Sequence, residues 1–389
     1  MHPAVCRFLG RYKTAANDKN NQCLKIVSEV QQMNDNELQK LRGEIDSIDA
    51  ELIALLNRRY QAVEAIGEYK RERHLPVYDP SRQRKLMERL QKLNNGPMTP
   101  EILNAVYREI MSGSHRLERP IRAAFLGPLG TFSHQATLEI FGNGADLAPE
   151  KTIPEVFRAI ECGRADYGCV PIENSAEGVI NYTLDWLVRS SVRITAEKYC
   201  RVHHSLMARC RKDEIKRICS HPQVLGQCRA YLLENFPGVE LVEMTSTAFA
   251  AERAANEEFT ATLGSPVASE LYKLAILEEN VEDSSFNTTR FLVIGNQTTS
   301  RSGDDKTSLC FVVKNRPGAL YEALDPFRRA GLQLTMIESR PWQQQAGWEY
   351  CFFVDLLGHR DDPQVAEACA DLEKGSAFFK ILGSYPRMG

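Results

Sequence analysis

From Asn36 to about Arg73 the chain carries no proline, and apolar residues fall at Leu38, Leu41, Ile45, Ile48, Leu52 and Leu55. Steps of three and four alternate, the rhythm of a helix that packs along another helix. Asn34 or Asp35 is placed to cap it, and Pro76 ends it. At 1.5 Å per residue such a helix is roughly 57 Å long, too long for a monomeric core, so the pattern predicts a second copy of the chain alongside it. A second helix follows Asp79-Pro80 through Leu86, Leu90 and Leu93, and stops at Asn95-Gly96-Pro97. A third opens at Thr99-Pro100-Glu101, with proline at the first helical position, and runs to about Leu117. Residues 35–119 are therefore expected to be all helix.

The period changes at Pro120. Strand patterns at 121–126, 167–170, 215–220, 239–244, 261–263 and 291–294 alternate with helical ones, among them 179–188, 224–235 and 248–256. That is α/β alternation. A polar, glycine-containing stretch, 296–306, reads as a linker. Beyond it the order is strand 307–313, a turn Asn315-Arg316-Pro317-Gly318, helix 319–330, strands 332–339 and 349–357, helix 363–372 and strand 378–385. This is the βαββαβ order of a ferredoxin-like unit. The domains expected are 35–119, 120–296 and 304–389, preceded by an extension, 1–34, of unassigned role.

Composition narrows the classes. The 389 residues allow about two to four domains. Apolar residues make up 43% and charged ones 25%, which excludes a mostly disordered chain. With 48 basic against 51 acidic residues there is no basic excess, and so no nucleic-acid partner is expected. No apolar run approaches the ~20 residues that span a bilayer, so no membrane partner is expected either. The 11 cysteines include no CxxC pair, which argues against a zinc or dithiol site and for reduced thiols in a cytoplasmic protein. No metal or other cofactor is expected.

On the first helix the three-four rhythm past Leu55 reaches Arg59, and a guanidinium on a seam must meet an anion. Arg42 and Lys70 share that helix, Asp79 and Arg82 follow the turn, and Ser114 and Glu118 lie one turn apart on the last helix. Two readings stand: interhelical salt bridges, or a cationic pocket for a small polycarboxylate inside a bundle.

The stretches LRGEIDSIDAELIALLNRRYQAVEAIGEYKRERHLPVYDPSRQRKLMERL and VYREIMSGSHRLE resemble the all-helical chorismate mutase family across this block. The resemblance implies catalytic or substrate-binding roles for Arg42, Arg59, Lys70, Asp79, Arg82, Gln83, Ser114 and Glu118, with Arg42 reaching into a partner subunit's site. Chorismate is a dianion, and Arg42, Arg59 and Arg82 can hold its carboxylates in the reactive pseudo-chair. Lys70 can donate to the ether oxygen as its C–O bond breaks. Two positions depart from the common bacterial pattern, Gln83 replacing Glu and Glu118 replacing Gln. A carboxylate cannot donate, so Glu118 must be protonated to serve the ether oxygen.

In the middle block, Gly127-Pro128-Leu129-Gly130-Thr131 follows a strand and precedes a helix, a place where backbone N–H groups often face anions. His203, His204 and His221 lack metal-ligand spacing and read as structural. Together, GPLGTFSH, VPIENSAEG, SHPQVLGQC, TSTAFAAE, ATLGS and NTTRF resemble prephenate dehydratase over about residues 121–295. The resemblance implies a two-lobed α/β fold of the type II periplasmic-binding kind, with the site in the cleft. Thr289 becomes the residue that assists the departing hydroxyl, and Glu173, Asn174, Ser175, Ser220, Gln227 and Thr247 line the cleft. Arg290 either binds a carboxylate or pairs structurally.

In the last block, Gly318-Ala319-Leu320-Tyr321 and Glu338-Ser339-Arg340-Pro341 resemble the ACT regulatory domain. The implied phenylalanine-binding residues are Gly318, Ala319, Leu320, Glu338, Ser339, Arg340 and Pro341, at an interface between two such domains. The whole implies a homodimer or higher homo-oligomer that takes chorismate and prephenate as substrates and responds to L-phenylalanine. The rival readings are an arogenate-preferring dehydratase with a structural helical block, and a non-catalytic two-lobed binding module.

Overall fold

The computed structural model describes residues 18–387 apart from 74, 285, 315 and 343–348, and side chains from residue 35 onward. Residues 1–17 of the extension and Asn315 of the expected turn thus lie outside the described residues. The chain divides at Ile66, with one unit ending there and the other running from Gly67.

Helix α1 (Asp18–Glu72) is 55 residues long. It does not begin at Asn34 or Asp35, because the residues before them carry neither proline nor glycine to interrupt it. The seam residues Leu38, Leu41, Ile45, Ile48, Leu52 and Leu55 are between 46% and 56% exposed, an apolar stripe left open among the described residues. In the second unit, helix α2 (Pro80–Leu93) starts where the Asp79 side chain accepts the Arg82 N–H at 3.1 Å. Helix α3 (Pro100–Glu118) is capped by Thr99.

The body then runs β1 (Arg122–Leu126), α4 (Phe132–Phe141), β2 (Asp146–Glu150), α5 (Ile153–Glu161), β3 (Tyr167–Asn174), β4 (Gly178–Val179), α6 (Asn181–Arg189) and β5 (Arg193–Arg201). It continues through β6 (Ser205–Ala208), β7 (Arg217–Ser220), α7 (Pro222–Gln227), α8 (Arg229–Asn235), β8 (Glu240–Glu243), α9 (Thr247–Asn256), β9 (Thr260–Gly264), α10 (Val267–Tyr272), β10 (Ala275–Glu278) and β11 (Thr288–Gly295). One sheet has the order β2-β1-β3-β11-β5, with β4 paired to β3; the other has β10-β6-β9-β7-β8. The chain enters the second sheet after β5 and returns to the first with β11, so two crossings join two lobes. The helix expected over 224–235 is two, α7 and α8, broken at Cys228. Strands β2, β5 and β6 were not legible: β2 holds Pro149, tolerated because it is an edge strand.

The last unit is βαββαβ as expected: β12 (Asp305–Val312), α11 (Ala319–Arg329), β13 (Leu334–Trp342), β14 (Glu349–Leu357), α12 (Pro363–Gly375) and β15 (Phe378–Pro386). Its sheet order is β13-β14-β12-β15. Strand alternation gives it two apolar faces. Leu309, Phe311, Val354 and Leu356 pack with Phe327, Val365 and Leu372 of its own helices. Cys310, Val312, Cys351, Phe353 and Leu382 join Ile172, Ile194 and Leu292 of the first lobe in one core. At Gly383 a Cβ would collide with the Ile194 carbonyl oxygen, so glycine permits the close approach of β15 to β5.

A cluster of charges is sealed in that interface. Arg290 on β11 pairs with Glu197 on β5 at 2.9 Å and with Asp355 on β14 at 2.6 Å. Lys306 on β12 pairs with Glu197 at 2.8 Å. Tyr385 OH accepts from Arg290 Nη2 at 3.0 Å. Burial works against the Arg290 charge, but Tyr385, Asp355 and Glu197 outweigh it and hold its pKa above the ordinary arginine value. Two cations face two carboxylates, so removing one leaves a buried charge uncompensated. Asp355→Ala is expected to destabilise this part of the protein by about 3–5 kcal/mol, read from the shift of its urea unfolding transition.

Candidate active sites

In the helical block, Gly67 sets the first site's geometry. A Cβ there would lie 3.1 Å from Glu118 Cα, so the end of α1 crosses α3 at close range. One turn on, Lys70 Nζ donates to Glu118 Oε2 at 2.8 Å and to the Val77 carbonyl at 2.9 Å. Glu118 is buried. Gln83, on α2, has a buried Oε1 with no hydrogen-bond partner among the described residues. Asp79 is used as the α2 cap, and the Ser114 hydroxyl donates back to the Ile110 carbonyl at 2.7 Å. Arg82 is exposed. Arg42 and Arg59 lie on the part of α1 that belongs to the first unit, where Arg42 is exposed and Arg59 half-buried.

The second set forms at the strand ends of the two lobes. Strands β1, β2 and β3 are parallel, as are β7, β8 and β9, and ligands of such sheets bind beyond the carboxyl ends. Those ends carry the expected motifs: the 127–130 turn after β1, Asn174 at the end of β3, Ser220 at the end of β7 and Gly264 at the end of β9. Strand β11 is antiparallel to β3, which pairs Thr289 with Asn174. The 127–130 turn is closed by its own helix: the Gly130 N–H donates to His134 Nδ1 at 3.1 Å. Burial holds the His134 pKa below the ordinary imidazole value, keeping that acceptor free of a proton.

Asn174 Nδ2 donates to Thr289 Oγ1 at 2.9 Å and to Asn287 Oδ1 at 2.8 Å. Gln227 Oε1 lies 3.2 Å from Asn287 Nδ2 and 2.8 Å from His204 Nε2. Ser175 acts on the backbone: its hydroxyl accepts the Thr288 N–H and donates to the Phe286 carbonyl, each at 2.9 Å, clamping Asn287 between them. A cavity of about 390 Å³ opens here, lined by Ser175, Gly226, Gln227, Glu282, Phe286 and Asn287. That volume suits a small organic acid.

The other expected residues are placed differently. The Ser220 hydroxyl is spent on the Leu263 carbonyl at 2.7 Å, and Thr247 packs where a Gly264 side chain would stand. Glu173 is half-buried, opposite Arg290 in register. Of the two roles left open for Arg290, structural pairing is the one its contacts supply. Gly318 caps α11 with φ 80°, a left-handed conformation suited to glycine. Ala319 and Leu320 begin α11, and Glu338, Ser339, Arg340 and Pro341 lie on β13, an edge strand. Arg340 is paired with Asp185 on α6 at 3.1 Å. Sequence reasoning missed Gly67, Glu197 and Asn287, of which only Asn287 had a signal, its place in the NTTRF stretch; His204 is the structural, hydrogen-bonding residue it was expected to be.

A helical block with a buried cation–carboxylate pair, a two-lobed body with polar groups at converging strand ends, and a ferredoxin-like unit packed on one lobe define a multidomain enzyme. Family models match in the same order: chorismate mutase type II over residues 41–119, prephenate dehydratase over 123–299 and the ACT domain over 307–374. The bifunctional chorismate mutase/prephenate dehydratase of Aquifex aeolicus (strain VF5) is 45% identical over 356 residues, covering 90% of this chain and 98% of the relative. The chain belongs to the bifunctional chorismate mutase/prephenate dehydratase family. Among solved structures, the prephenate dehydratase of Arthrobacter aurescens in complex with L-Phe is 34% identical, with TM-score 0.63 over 69% of this chain and 90% of its own. GqqA, described as a novel type of quorum-quenching acylase, is 31% identical, with TM-score 0.63 over 69% of this chain and 98% of its own. Among the described residues no helix is long and apolar enough to cross a membrane.

The Lys70–Glu118 pair generates a prediction. A carboxylate only accepts, whereas an amide both accepts and donates. Glu118→Gln should therefore retain mutase turnover, with its amide available to the ether oxygen, and Glu118→Ala, which offers no donor and leaves Lys70 without its partner, should lose it. Equal loss of mutase kcat/KM in the two variants removes this role.

Proposed function

We propose that the chain carries out two consecutive steps of phenylalanine biosynthesis. The helical block rearranges chorismate to prephenate: one C–O bond breaks, one C–C bond forms, and no proton is exchanged. The two-lobed body converts prephenate to phenylpyruvate. The ring carboxylate leaves as carbon dioxide, its electron pair aromatises the ring, and the C4 hydroxyl departs as hydroxide, which needs one proton to become water. The carrying observation is Thr289 in hydrogen-bond contact with Asn174, whose amide also holds Asn287 in the wall of the cavity, within a chain whose three blocks match the three families in order.

Thr289 Oγ1 accepts from Asn174, which leaves its own hydrogen to donate to the leaving hydroxyl. In the helical block the family resemblance gives Arg42, Arg59 and Arg82 the carboxylates, and Lys70, Gln83 and Glu118 the ether oxygen. Because the apolar seam of α1 is uncovered, a second chain is its natural cover, and the protein is read as a homodimer or larger homo-oligomer. L-phenylalanine is read as the regulatory ligand of the C-terminal unit, at Gly318–Leu320 and Glu338–Pro341. The free edge of β13, with Tyr321 and Ile337 exposed, supports an interface between two such units there. Cytoplasmic location fits the chemistry.

Arg59→Ala is expected to abolish mutase turnover while prephenate turnover survives, and Thr289→Ala to do the reverse, in separate assays on the full chain. A folded variant lacking both activities would refute separable sites. L-phenylalanine should lower the prephenate rate cooperatively, with a coupling of about 1–3 kcal/mol. Gly318→Val, which forces a β-branched residue into a left-handed position, should weaken that inhibition and spare uninhibited turnover. Undiminished inhibition in Gly318→Val would move the ligand elsewhere.

A further inference from the structure

The polar groups at the dehydratase cleft form one chain of hydrogen bonds, and its direction is fixed. Asn174 Oδ1 accepts the backbone N–H groups of Ala176 at 2.9 Å and Glu177 at 3.2 Å. A backbone N–H can only donate, so the Asn174 amide has one allowed orientation, with its NH2 toward Thr289 and Asn287. Asn287 must then present its oxygen to Asn174 and its NH2 to Gln227. Gln227 in turn presents its oxygen, which receives Asn287 Nδ2 at 3.2 Å and His204 Nε2 at 2.8 Å. For that last bond the His204 proton must be on Nε2.

His204 is built to keep this tautomer. It is 1% exposed, its Nδ1 is buried without a hydrogen-bond partner among the described residues, and Phe132 meets its ring edge-on. Protonating Nδ1 would bury an unpaired donor. Accordingly burial, against the smaller opposing effects of Gln227 and Glu282, holds its pKa below the ordinary imidazole value. The Glu282 carboxylate is occupied by His203 Nδ1 at 2.7 Å and the His204 backbone N–H at 2.8 Å, and Asp283 accepts the N–H groups of Ala230 and Tyr231.

We infer that Asn287 and His204 are positioning residues of the dehydratase. They relay the orientation set by two backbone N–H groups across both lobes, so that the Thr289 hydroxyl hydrogen and the Gln227 NH2 are left to donate into the cleft. The inference rests on the reading that Thr289 assists the departing hydroxyl. It adds that Asn287 must be an acceptor to one neighbour and a donor to the other, and that His204 must donate through Nε2.

The test uses the full chain, with prephenate and chorismate assayed separately. Asn287→Asp can accept from Asn174 but, ionised, cannot donate to Gln227, which must then turn its NH2 inward. The expected result is a loss of kcat of about tenfold or more near pH 8, below the 10²–10³ cost of deleting a direct donor. Relative to wild type, activity should recover as pH falls to about 5, because a carboxylic acid among neutral amides regains a proton to donate. Asn287→Ala should lose activity at every pH, and mutase turnover should be unchanged in both. A pH-independent ratio in Asn287→Asp overturns the proposal. Should the Asn287 variants lose mutase turnover as well, and thus fail to fold, the His204 pair decides. Gln keeps a donor at the place of Nε2, so His204→Gln should retain kcat while His204→Leu loses it; equal loss overturns the proposal. A fully active Thr289→Ala would instead refute the underlying assignment of Thr289.

Discussion

The pairing of Arg290 with Glu197 and Asp355 is the constraint on which the second unit turns. A guanidinium buried without partners is prohibitively unfavourable, and here one partner comes from the first lobe and the other from the C-terminal sheet. The lobe is therefore complete only with that sheet against it. The apolar surroundings agree: Cys310, Cys351, Phe353 and Leu382 share a core with Ile172, Ile194 and Leu292. Gly383 then lets the two sheets close to backbone contact.

One residue earlier the same strand serves the cleft. Successive side chains of a strand face opposite ways, so Thr289 can reach Asn174 only because Arg290 faces away from it. The cleft contains neutral donors in the main: amides, a hydroxyl and a neutral imidazole. Such groups supply direction rather than charge, which fits a reaction whose driving force is the aromatisation of its own substrate. The helical block differs: it sets a lysine against a carboxylate, Lys70 and Glu118, 2.8 Å apart.

Much of this was legible because local pattern and tertiary role coincided. The seam of α1, the prolines opening α2 and α3, and the βαββαβ order of the last unit each follow from residues close in sequence. What escaped did so for a physical reason. Glu197 and Lys306 are charged residues in strands, where pattern reading assigns them to solvent, and only the third dimension brings them to Arg290. His204 and Asn287 gain meaning from Gln227, which lies 23 residues from one and 60 from the other. Gly67 looks like a weak point in a helix until α3 crosses it. The α1 start was misplaced because a good cap residue does not end a helix whose preceding residues are equally able to continue it.

The junctions between the blocks differ in how they allow the parts to be exchanged. Helix α2 meets the C-terminal unit through polar contacts such as Arg84 with Asp304, and Tyr78 just before it is buried against Phe141 and Tyr167 of the first lobe. The lobe and the ferredoxin-like unit are joined by charges that neither can keep alone. A chain that shed the last unit would have to replace Arg290, Glu197 and their apolar surroundings together. The two-lobed body and its C-terminal unit are thus inherited as a single piece.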